Sequence, residues 1–277
     1  MKCNFISKLT ASGGCVQLAI SFVFVLTTSF VWAGEPIEVR VLSYNIHHGE
    51  GVDHKLDLAR IARVIASVRP DIVALQEVDK NVKRSGGVDQ TAEIAKLTRM
   101  NFVFGENISL QGGQYGNAIL SRWPITQHAN RLLPNLDHGE QRGVLQASVQ
   151  EPVTGTPVMI LATHFDHRPD DAERIASAQA INELVAKHRQ TPAILAGDMN
   201  DGPGSKTLLE LKRHWTDNSD KPMPTIPVAQ PTKQIDFVLF RPKELWSAIE
   251  TRVLDETVAS DHRAILTVLR WRGVQRQ

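Results

Sequence analysis

The sequence contains very little cysteine. Only Cys3 and Cys15 occur among its 277 residues, and both lie within the first 33. We predict that residues 1–33 are removed as a signal peptide, which would leave the mature protein without a disulfide bond or a thiol nucleophile. A chain of the remaining length can be held together by its hydrophobic core alone.

The predicted signal peptide has the usual three parts. Lys2 and Lys8 precede an uncharged stretch over 9–33 with the apolar centre LAISFVFVLTTSFVWA, and small or aliphatic residues stand just before Gly34. Serine and threonine dilute this centre and no basic cluster follows it, which argues against an anchor that stays in the membrane. We therefore expect an exported protein, periplasmic or secreted, with its catalytic domain over 34–277. We also expect it to be a monomer.

The chain also lacks an excess of charge of either sign. Without the signal peptide it carries 29 basic and 30 acidic residues, and aromatic residues make up only 6% of the sequence. It has no long run of lysine and arginine. A balanced charge gives no overall attraction to nucleic acid or to an anionic membrane, so any such contact would depend on a local patch.

Two common catalytic signatures are missing. The chain contains no GxSxG motif and no HExxH motif, which argues against a serine hydrolase of the nucleophile-elbow type and against a zinc protease. No internal repeat, low-complexity tract or long linker divides the sequence, so a single catalytic domain is expected.

The sequence does contain an alternation of strand and helix patterns. Apolar and polar residues alternate over 38–46, as in a half-buried strand, and apolar residues recur at helical spacing over 58–68 before Pro70. Further helices are predicted over 88–100, with Asp89 as N-cap, and over about 171–188. Other strand patterns lie at 71–78, 101–107, 117–123, 143–150, 157–165, 191–200, 233–240 and 262–270. The pattern predicts an α/β sandwich of two mostly antiparallel sheets covered by helices.

Polar residues gather where these strands begin or end. Any one of them alone is more readily a turn residue or a satisfied core group, but seven strand ends share the pattern. Carboxylates and imidazoles are costly to bury beside aliphatic residues without partners, so we interpret the set as one acidic pocket that contains histidine. The set comprises Asn45, His47, His48, Gln76, Glu77, Asn117, His164, Asp166, His167, Asp198, Asn200, Asp201, Asp236, Asp261 and His262.

The residue types in this pocket favour a hard cation. Glutamate, aspartate and asparagine supply oxygen ligands, with no thiol, and these suit Mg²⁺, or Mn²⁺ as the alternative. A hard cation beside histidines that are oriented by aspartate suits phosphoryl chemistry, where negative charge on oxygen must be neutralised and a water activated.

Seven short motifs occur in the order found in a known family. They read YNIHHG, LQEV, GNAILSR, THFDH, GDMND, IDFVLF and SDHRAI. In this order they resemble the endonuclease/exonuclease/phosphatase superfamily, which includes the DNase I-like nucleases, AP endonucleases, neutral sphingomyelinases, inositol-polyphosphate phosphatases and deadenylases. The resemblance covers about Val39 to Leu269. It implies a four-layer α/β sandwich and metal-dependent hydrolysis of a phosphoester.

The resemblance also implies roles for individual residues. Glu77 resembles the principal metal ligand, with Asn45 beside it and Asp261 as a further acid on the metal side. Asp198 resembles the residue that orients or deprotonates the attacking water, and Asn200 resembles the donor to a phosphate oxygen.

A histidine and its carboxylate complete the implied catalytic set. His262 resembles the catalytic histidine and Asp236 the acid that pairs with it, which agrees with the need of an acid in an otherwise apolar strand for a partner. His164 resembles the polar residue that contacts the phosphate or assists the leaving group. Asn117 resembles a phosphate-binding residue or one that supports the site.

His47 and Arg142 are further candidates for substrate binding. His47 and His48 stand next to the asparagine of the first motif, which favours a place at the site. Arg142, like Arg84 and Arg168, is as readily a solvated surface residue.

The glycine-rich segment GDMNDG follows a predicted strand. In extended backbone Asp198 and Asn200 project to one face and Asp201 to the other, so we interpret Asp201 as structural. Gly197 and Gly202 are expected to let the substrate approach the backbone. An EF-hand calcium loop is excluded, because glycine, proline and leucine stand at its fifth, sixth and twelfth positions.

The function that these features favour is a divalent-metal-dependent phosphoesterase, and within that class a phosphodiesterase that acts by in-line attack of water. A DNase I-like endonuclease or exonuclease is the alternative within the family. A non-catalytic binding protein with the same fold is the alternative from another class, disfavoured because Glu77, Asp198 and His262 are all present. The sequence does not decide whether the substrate is a lipid head group, a nucleic acid or a small molecule.

A proline-rich segment at 217–232 is expected to form a loop at the rim of the site and to shape substrate choice.

Overall fold

Two β-sheets pack face to face. The structure is a computed structural model that describes residues 37–152, 155–217 and 221–272, and within these ranges the sheets contain six and five strands. Val41 and Ile72 from one sheet and Ile160 and Ile194 from the other belong to one shared apolar core. The predicted signal peptide lies outside the described residues.

The first sheet combines strands from the beginning and the end of the described chain. Its strands are β1 (Glu38–Asn45), β2 (Ile72–Lys80), β3 (Asn101–Leu110), β4 (Gly113–Ser121), β10 (Trp246–Val253) and β11 (Ile265–Trp271), in the order β10-β11-β1-β2-β4-β3. Strands β1 and β2 are parallel, and the other neighbouring pairs in this sheet are antiparallel.

The second sheet follows the order of the chain. Its strands are β5 (Ile125–Leu132), β6 (Gly143–Gln150), β7 (Pro157–His164), β8 (Ala193–Asp198) and β9 (Asp236–Arg241). Strands β7 and β8 are parallel and the other pairs are antiparallel. The prediction of two mostly antiparallel sheets is confirmed.

Helices cover the outer face of each sheet. Helices α1 (Leu58–Ser67) and α2 (Gln90–Thr98) pack on the first sheet, and α3 (Ala172–Ala186) and α4 (Lys206–Leu211) pack on the second. The Asp89 carboxylate accepts a hydrogen bond from the Ala92 amide at 3.0 Å, so the predicted N-cap of α2 is confirmed. The order helix, sheet, sheet, helix is the four-layer sandwich that the resemblance implies.

Two strands and one helix are absent from the sequence-based prediction. Strands β5 and β10 are edge strands, and most of the residues of β5 are exposed, with Leu132 60% exposed. Such strands carry no continuous apolar run by which a sequence pattern could identify them. Helix α4 is only six residues long, too short for a reliable helical periodicity.

The inner faces of the sheets change from apolar to polar along their length. On β1 the inward positions are Val39 and Val41, followed by Ser43 and Asn45, because every second side chain points into the gap. The parallel strand β2 ends beside it with Gln76 paired to Asn45 in register. The gap between the sheets is therefore apolar at one end and lined by polar groups at the other.

Among the described residues, none of the helices has both the length and the apolar character to cross a lipid bilayer.

Candidate active site

Three neighbouring strands of the second sheet place His164, Asp198 and Asp236 in one row. His164 pairs with Asp198 in the register of β7 and β8, and Asp198 pairs with Asp236 in that of β8 and β9. The alanines two positions before His164 and Asp198 belong to the core between the sheets, so the row also faces this gap. All three side chains are buried, with at most 5% of any residue exposed.

His262 lies against two carboxylates of this row. Its Nδ1 is 3.0 Å from Asp236 Oδ2, and its Nε2 is 3.7 Å from Asp198 Oδ2. The Thr225 hydroxyl donates to the same Asp236 oxygen at 2.6 Å, and the backbone N–H of His262 donates to Ser260 Oγ at 3.2 Å. The imidazole and its carboxylate partner are therefore held by both side chain and backbone.

The carboxylates make His262 a cation. Burial lowers the pKa of His262, but the charge of Asp236, the hydrogen bond to it and the charge of Asp198 outweigh burial and raise the pKa to about 10. Burial and the nearby charge of Asp236 raise the pKa of Asp198 to about 7, against the opposing effect of His262. At neutral pH a carboxylate near its titration point thus lies beside a positive charge.

His164 approaches Asp198 with its other ring nitrogen facing an arginine. Its Nε2 is 3.5 Å from Asp198 Oδ2, and its Nδ1 is 3.1 Å from Nη1 of Arg142. Arg142 is only 3% exposed and also contacts Glu140 at 2.7 Å and Nδ1 of His167 at 3.2 Å. Burial and then the charge of Arg142 hold the pKa of His164 well below its usual range, so that this imidazole is neutral.

The first sheet contributes Asn45 from the end of β1 and Glu77 from an irregular position within β2. Asn45 Nδ2 lies 2.9 Å from Glu77 Oε1 and 3.2 Å from Asp198 Oδ2, and donates toward both. Its Oδ1 accepts from the His47 amide at 3.1 Å, and its backbone carbonyl accepts from the Ser260 hydroxyl at 2.8 Å. Asn45 therefore links the expected metal side of the site to the row on the second sheet.

Glu77 occupies an irregular position in β2. The pairing with β4 shifts register between Leu75 and Val78, and Glu77 has φ +57°, in the left-handed region. His47 and His48 also have positive φ, at +44° and +43°. These three left-handed residues bring two imidazoles and one carboxylate together, with ligand atoms within 4.8 Å of one another. The expected place of His47 at the site is thus matched by its position beside Glu77.

Asp261 stands apart from the other expected metal ligands. It is exposed, and its carboxylate accepts from the Ser260 hydroxyl at 3.3 Å. Burial, with the charges of Glu256 and Asp261, raises the pKa of Tyr44, which places these acids near the Tyr44 hydroxyl. Of the described histidines and acids, the groups of three or more close enough to share an ion are His47–His48–Glu77 and Asp198–Asp236–His262, and Asp261 belongs to neither.

The residues around Glu77 could hold a divalent cation. Glu77 is a half-buried carboxylate that lies 2.9 Å from Asn45 Nδ2, and Asn45 Oδ1 accepts from the His47 amide, so Asn45 would offer its oxygen to a cation shared with Glu77 only with its amide turned over. Carboxylate and amide oxygens are the ligands that Mg²⁺ and Mn²⁺ take, and the adjacent imidazoles would add ligands more typical of Mn²⁺ or Zn²⁺. The Asp198–Asp236–His262 group is already joined internally by the close His262 contacts, which favours a proton-handling role for it.

Asn200 reaches the site by a route other than the expected one. Strand β8 ends at Asp198, and Asn200 has φ +48°, so a left-handed turn and not strand alternation places it. Its amide N–H donates to Asp198 Oδ1 at 2.9 Å, and its side-chain Nδ2 donates to the Phe165 carbonyl at 3.0 Å. The expectation that extended backbone carries both side chains to one face is wrong, although the two residues are neighbours.

The glycine expected to admit substrate has another role. A Cβ on Gly197 would lie 2.1 Å from the carbonyl oxygen of Thr163, so the absence of a side chain allows β7 to pack against β8. The prediction for Gly197 is therefore wrong.

Asp201 accepts hydrogen bonds from Arg174 at 3.4 Å and Thr207 at 2.8 Å, which agrees with its interpretation as structural.

Asn117 lies on β4 at the inner face of the first sheet. Its Nδ2 donates to the Gly143 carbonyl at 3.1 Å, while its buried Oδ1 has no partner within the described structure. Asn117 therefore ties β4 to the start of β6, next to Arg142, with one acceptor left available.

Two of the candidate arginines form internal ion pairs. Arg84 makes two hydrogen bonds to the buried Asp79 carboxylate, at 2.8 and 2.9 Å. Arg168 contacts Asp166 at 2.9 Å and Glu173 at 2.8 Å. Arg168 is half-buried, so the solvated surface position considered for it is wrong, whereas Arg84 is exposed and keeps that position, with its charge paired to Asp79.

Sequence patterns did not identify the loop residues that support the site. Thr225 and Ser260 stand outside any strand. Thr225 lies in the proline-rich segment and Ser260 is the first residue of the SDHRAI motif, and neither hydroxyl shows a sequence pattern that predicts its contacts. Thr225 also shows that the proline-rich loop reaches the site, since it contacts Asp236 directly. Between this loop and Asn200 lies a cavity of about 500 Å³, which is consistent with the expected rim position.

The match to known proteins follows the same strands and loops. A model of the endonuclease/exonuclease/phosphatase family matches residues 42–262. The chain therefore belongs to this family, whose members are phosphoester hydrolases.

Individual relatives agree with this assignment. YbhP of Escherichia coli (strain K12) is 30% identical over 216 residues, which make up 72% of this chain and 83% of that protein. A 5'-tyrosyl-DNA phosphodiesterase of Caenorhabditis elegans is 26% identical over 225 residues, 76% of this chain and 56% of that protein. The crystal structure of an endonuclease/exonuclease/phosphatase from Beutenbergia cavernae DSM 12333 superposes with a TM-score of 0.71 at 26% identity, covering 85% of this chain and 72% of that one.

Proposed function

We propose that the protein is a divalent-metal-dependent phosphodiesterase that hydrolyses its substrate by in-line attack of water on phosphorus. The observation that carries the proposal is the position of Asp198. This carboxylate lies between the cationic His262 and the neutral His164, and it accepts from Asn45, which also contacts Glu77.

Asp198 has the properties of a general base for water. It is buried, and its pKa is raised to about 7 by burial and by Asp236, so its affinity for a proton is matched to neutral pH. Hydrogen bonds from Asn45 and from the Asn200 amide hold the carboxylate in place. In this role it would take the proton from the attacking water as the bond to phosphorus forms.

His262 is suited to stabilise the negative charge of the phosphoryl group. Asp236 and Thr225 fix the ring, and with Nδ1 facing Asp236, Nε2 remains as the donor on the Asp198 side. A positive charge fixed before the reaction stabilises developing charge without reorganisation. Glu77, with Asn45 beside it, would hold the divalent cation, and the cation would neutralise charge on phosphate oxygens. The exposed Asp261 belongs to neither group of described residues that is close enough to share an ion.

The charge of the site favours a diester over a monoester. A phosphate diester carries one negative charge, whereas a monoester carries close to two at neutral pH and needs more positive charge. Arg84, Arg142 and Arg168 are each paired with a protein carboxylate, so none of them supplies the additional positive charge that a monoester would need. The relative named as a 5'-tyrosyl-DNA phosphodiesterase supports the same choice.

A substrate panel tests this proposal. The purified protein is assayed on bis-p-nitrophenyl phosphate, p-nitrophenyl phosphate, plasmid DNA and sphingomyelin, each with Mg²⁺, with Mn²⁺ and with EDTA. We expect metal-dependent cleavage of the diester, and a fall in kcat of about 1000-fold in Asp198→Asn. The exposed Asp137→Asn serves as the matched control and should keep full activity.

Two outcomes would contradict the proposal, and a third would narrow it to one class of diester. Absence of metal-dependent turnover on every substrate would favour the non-catalytic binding protein. Faster turnover of the monoester than of the diester would favour a phosphatase, and cleavage of plasmid DNA alone would favour the nuclease alternative.

We also propose that the protein is exported, on the strength of the basic, apolar and small-residue segments at 1–33. Expression with and without these residues, followed by fractionation of the cells and by mass determination of the N-terminus, tests this point. A mature protein that still carries residues 1–33 would contradict it.

A further inference from the structure

Arg142 lies behind the site and contacts two histidines at the same ring position. It precedes β6, and its Nη1 is 3.1 Å from Nδ1 of His164 while its Nη2 is 3.2 Å from Nδ1 of His167. Glu140 holds the guanidinium from outside at 2.7 Å. The Arg142 side chain is buried, with only 3% of it exposed.

These contacts fix where the histidine protons are. An arginine side chain has only N–H donors and stays protonated in proteins, so an atom that it contacts at hydrogen-bond distance must accept. Nδ1 of His164 and Nδ1 of His167 therefore carry no proton. A neutral imidazole has one proton, and in both residues it must lie on Nε2.

For His164 this assignment has a direct consequence at the reacting end of the site. Its Nε2 lies 3.5 Å from Asp198 Oδ2, so the Nε2–H points toward this carboxylate and toward the place of the phosphoryl group. The other tautomer would turn a lone pair of Nε2 toward the lone pairs of Asp198. It would also turn a proton on Nδ1 toward the donors of Arg142.

We infer that Arg142 is a positioning residue that holds His164 as the neutral Nε2–H tautomer, a hydrogen-bond donor to the phosphoryl oxygens and not a proton donor to the leaving group. The role of Arg142 differs from the direct substrate contact expected from the sequence, because both of its Nη atoms face protein groups. The kinetic part of the inference rests on the proposed function, whereas the tautomer does not.

Nuclear magnetic resonance measures the tautomer directly. Protein with ¹⁵N-labelled histidine is examined by long-range ¹H–¹⁵N correlation at neutral pH in EDTA, with His164→Asn and His167→Asn used only to assign the signals. We expect a protonated Nε2 and an unprotonated Nδ1 for His164. A protonated Nδ1 in the unmodified protein would overturn the inference without any variant.

Arginine variants test the cause. In Arg142→Met the His164 signals should shift to a mixture of tautomers, with kcat reduced by about 10- to 100-fold and a smaller change in KM. Arg142→Lys keeps a positive charge and one donor and should restore part of both. The matched control is Arg241→Met, a buried arginine at the other end of β9 from Asp236 that donates to the Val185 carbonyl and should change neither readout.

The outcomes separate the possible failures. An unchanged His164 tautomer in folded Arg142→Met would overturn the inference, as would loss of the tautomer in Arg241→Met alone. If Arg142→Met does not fold, Arg142→Lys decides the question. Absence of turnover in the unmodified protein would contradict the proposed function but leave the measured tautomer intact.

Discussion

The two histidines that face Asp198 differ in the group behind them. His262 has a carboxylate behind its Nδ1, that of Asp236, and burial is outweighed so that its pKa rises to about 10. His164 has the guanidinium of Arg142 behind its Nδ1, and its pKa falls well below its usual range through burial and that charge. The same side chain, at 3.7 and 3.5 Å from the same oxygen, thus becomes a cation on one side and a neutral donor on the other.

The comparison teaches that the partner of a histidine decides its chemistry more than its distance from the reacting group. A buried carboxylate favours the charged imidazole, and a buried guanidinium disfavours it. Asp198 therefore has one charged and one neutral imidazole beside it, and Asp236 balances the charge of His262.

Replacement of each histidine by asparagine should give the largest difference. An amide can donate like a neutral imidazole but carries no charge, so His164→Asn should reduce kcat by about 10-fold and His262→Asn by about 1000-fold. Steady-state kinetics on the diester, with the fold checked by circular dichroism, measure both. Equal losses in the two variants would remove the distinction between the histidines.

Asp236→Asn should lower the pKa of His262, so that this imidazole becomes more like the neutral His164. Without the carboxylate the main cause of the raised pKa of His262 is lost, and kcat should fall by about 100-fold. Kinetics and histidine resonance titration measure the two effects. Asp71→Asn, a half-buried acid at the other end of β2 that accepts from the Arg40 amide, is the control and should retain activity. A kcat for Asp236→Asn near that of the unmodified protein would show that the carboxylate does not act through His262.

Thr225→Val should reduce kcat less than Asp236→Asn, because it removes only one hydrogen bond to the carboxylate that orients His262. Loss of the hydroxyl that donates to Asp236 should reduce kcat by about 5-fold, on the order of 1 kcal/mol for one hydrogen bond. Thr163→Val is matched in chemistry and burial and lies on the His164 side, where its hydroxyl donates to the Gly143 carbonyl. A larger loss of kcat in Thr163→Val than in Thr225→Val would show that activity depends more on the residues around His164 than on those around His262.

Stability as a function of pH tests the charge of His262 without any measurement of activity. His262 has a folded-state pKa of about 10 against about 6.5 in the unfolded chain, so its stabilising contribution is complete below about pH 6.5 and is lost as pH rises toward 10. In EDTA, the melting temperature should fall by several degrees over this range. His262→Gln should flatten the curve, and a melting temperature that rises with pH in the unmodified protein would contradict the assignment.

Strand alternation explains which parts of the site could be predicted from the sequence. His164, Asp198 and Asp236 stand at strand ends among aliphatic residues, and a period of two places each on the inner face. The loop that carries Asp261 and His262 was predicted for the same reason, because it adjoins a strong strand pattern.

The remaining features depend on geometry beyond the strand ends. Asn200 and Glu77 take left-handed conformations, and no periodicity predicts the direction of a side chain in a turn or bulge. Thr225 and Arg142 act through partners far away in sequence, and a pairing over such a distance has no local signature. The sequence therefore predicts the candidate reacting residues but not the residues that orient them.

The row of His164, Asp198 and Asp236 has a consequence for how this family can change. The three strands carry their functional groups at a single register, and the strands are packed so closely that Gly197 has no room for a methyl group. Insertion or deletion of one residue within β8 would turn Asp198 toward the helices, whereas exchange of one aliphatic core residue for another would leave it in place. Strand length is thus under stricter constraint here than most side-chain identities, and new specificities would arise by changes in the loops.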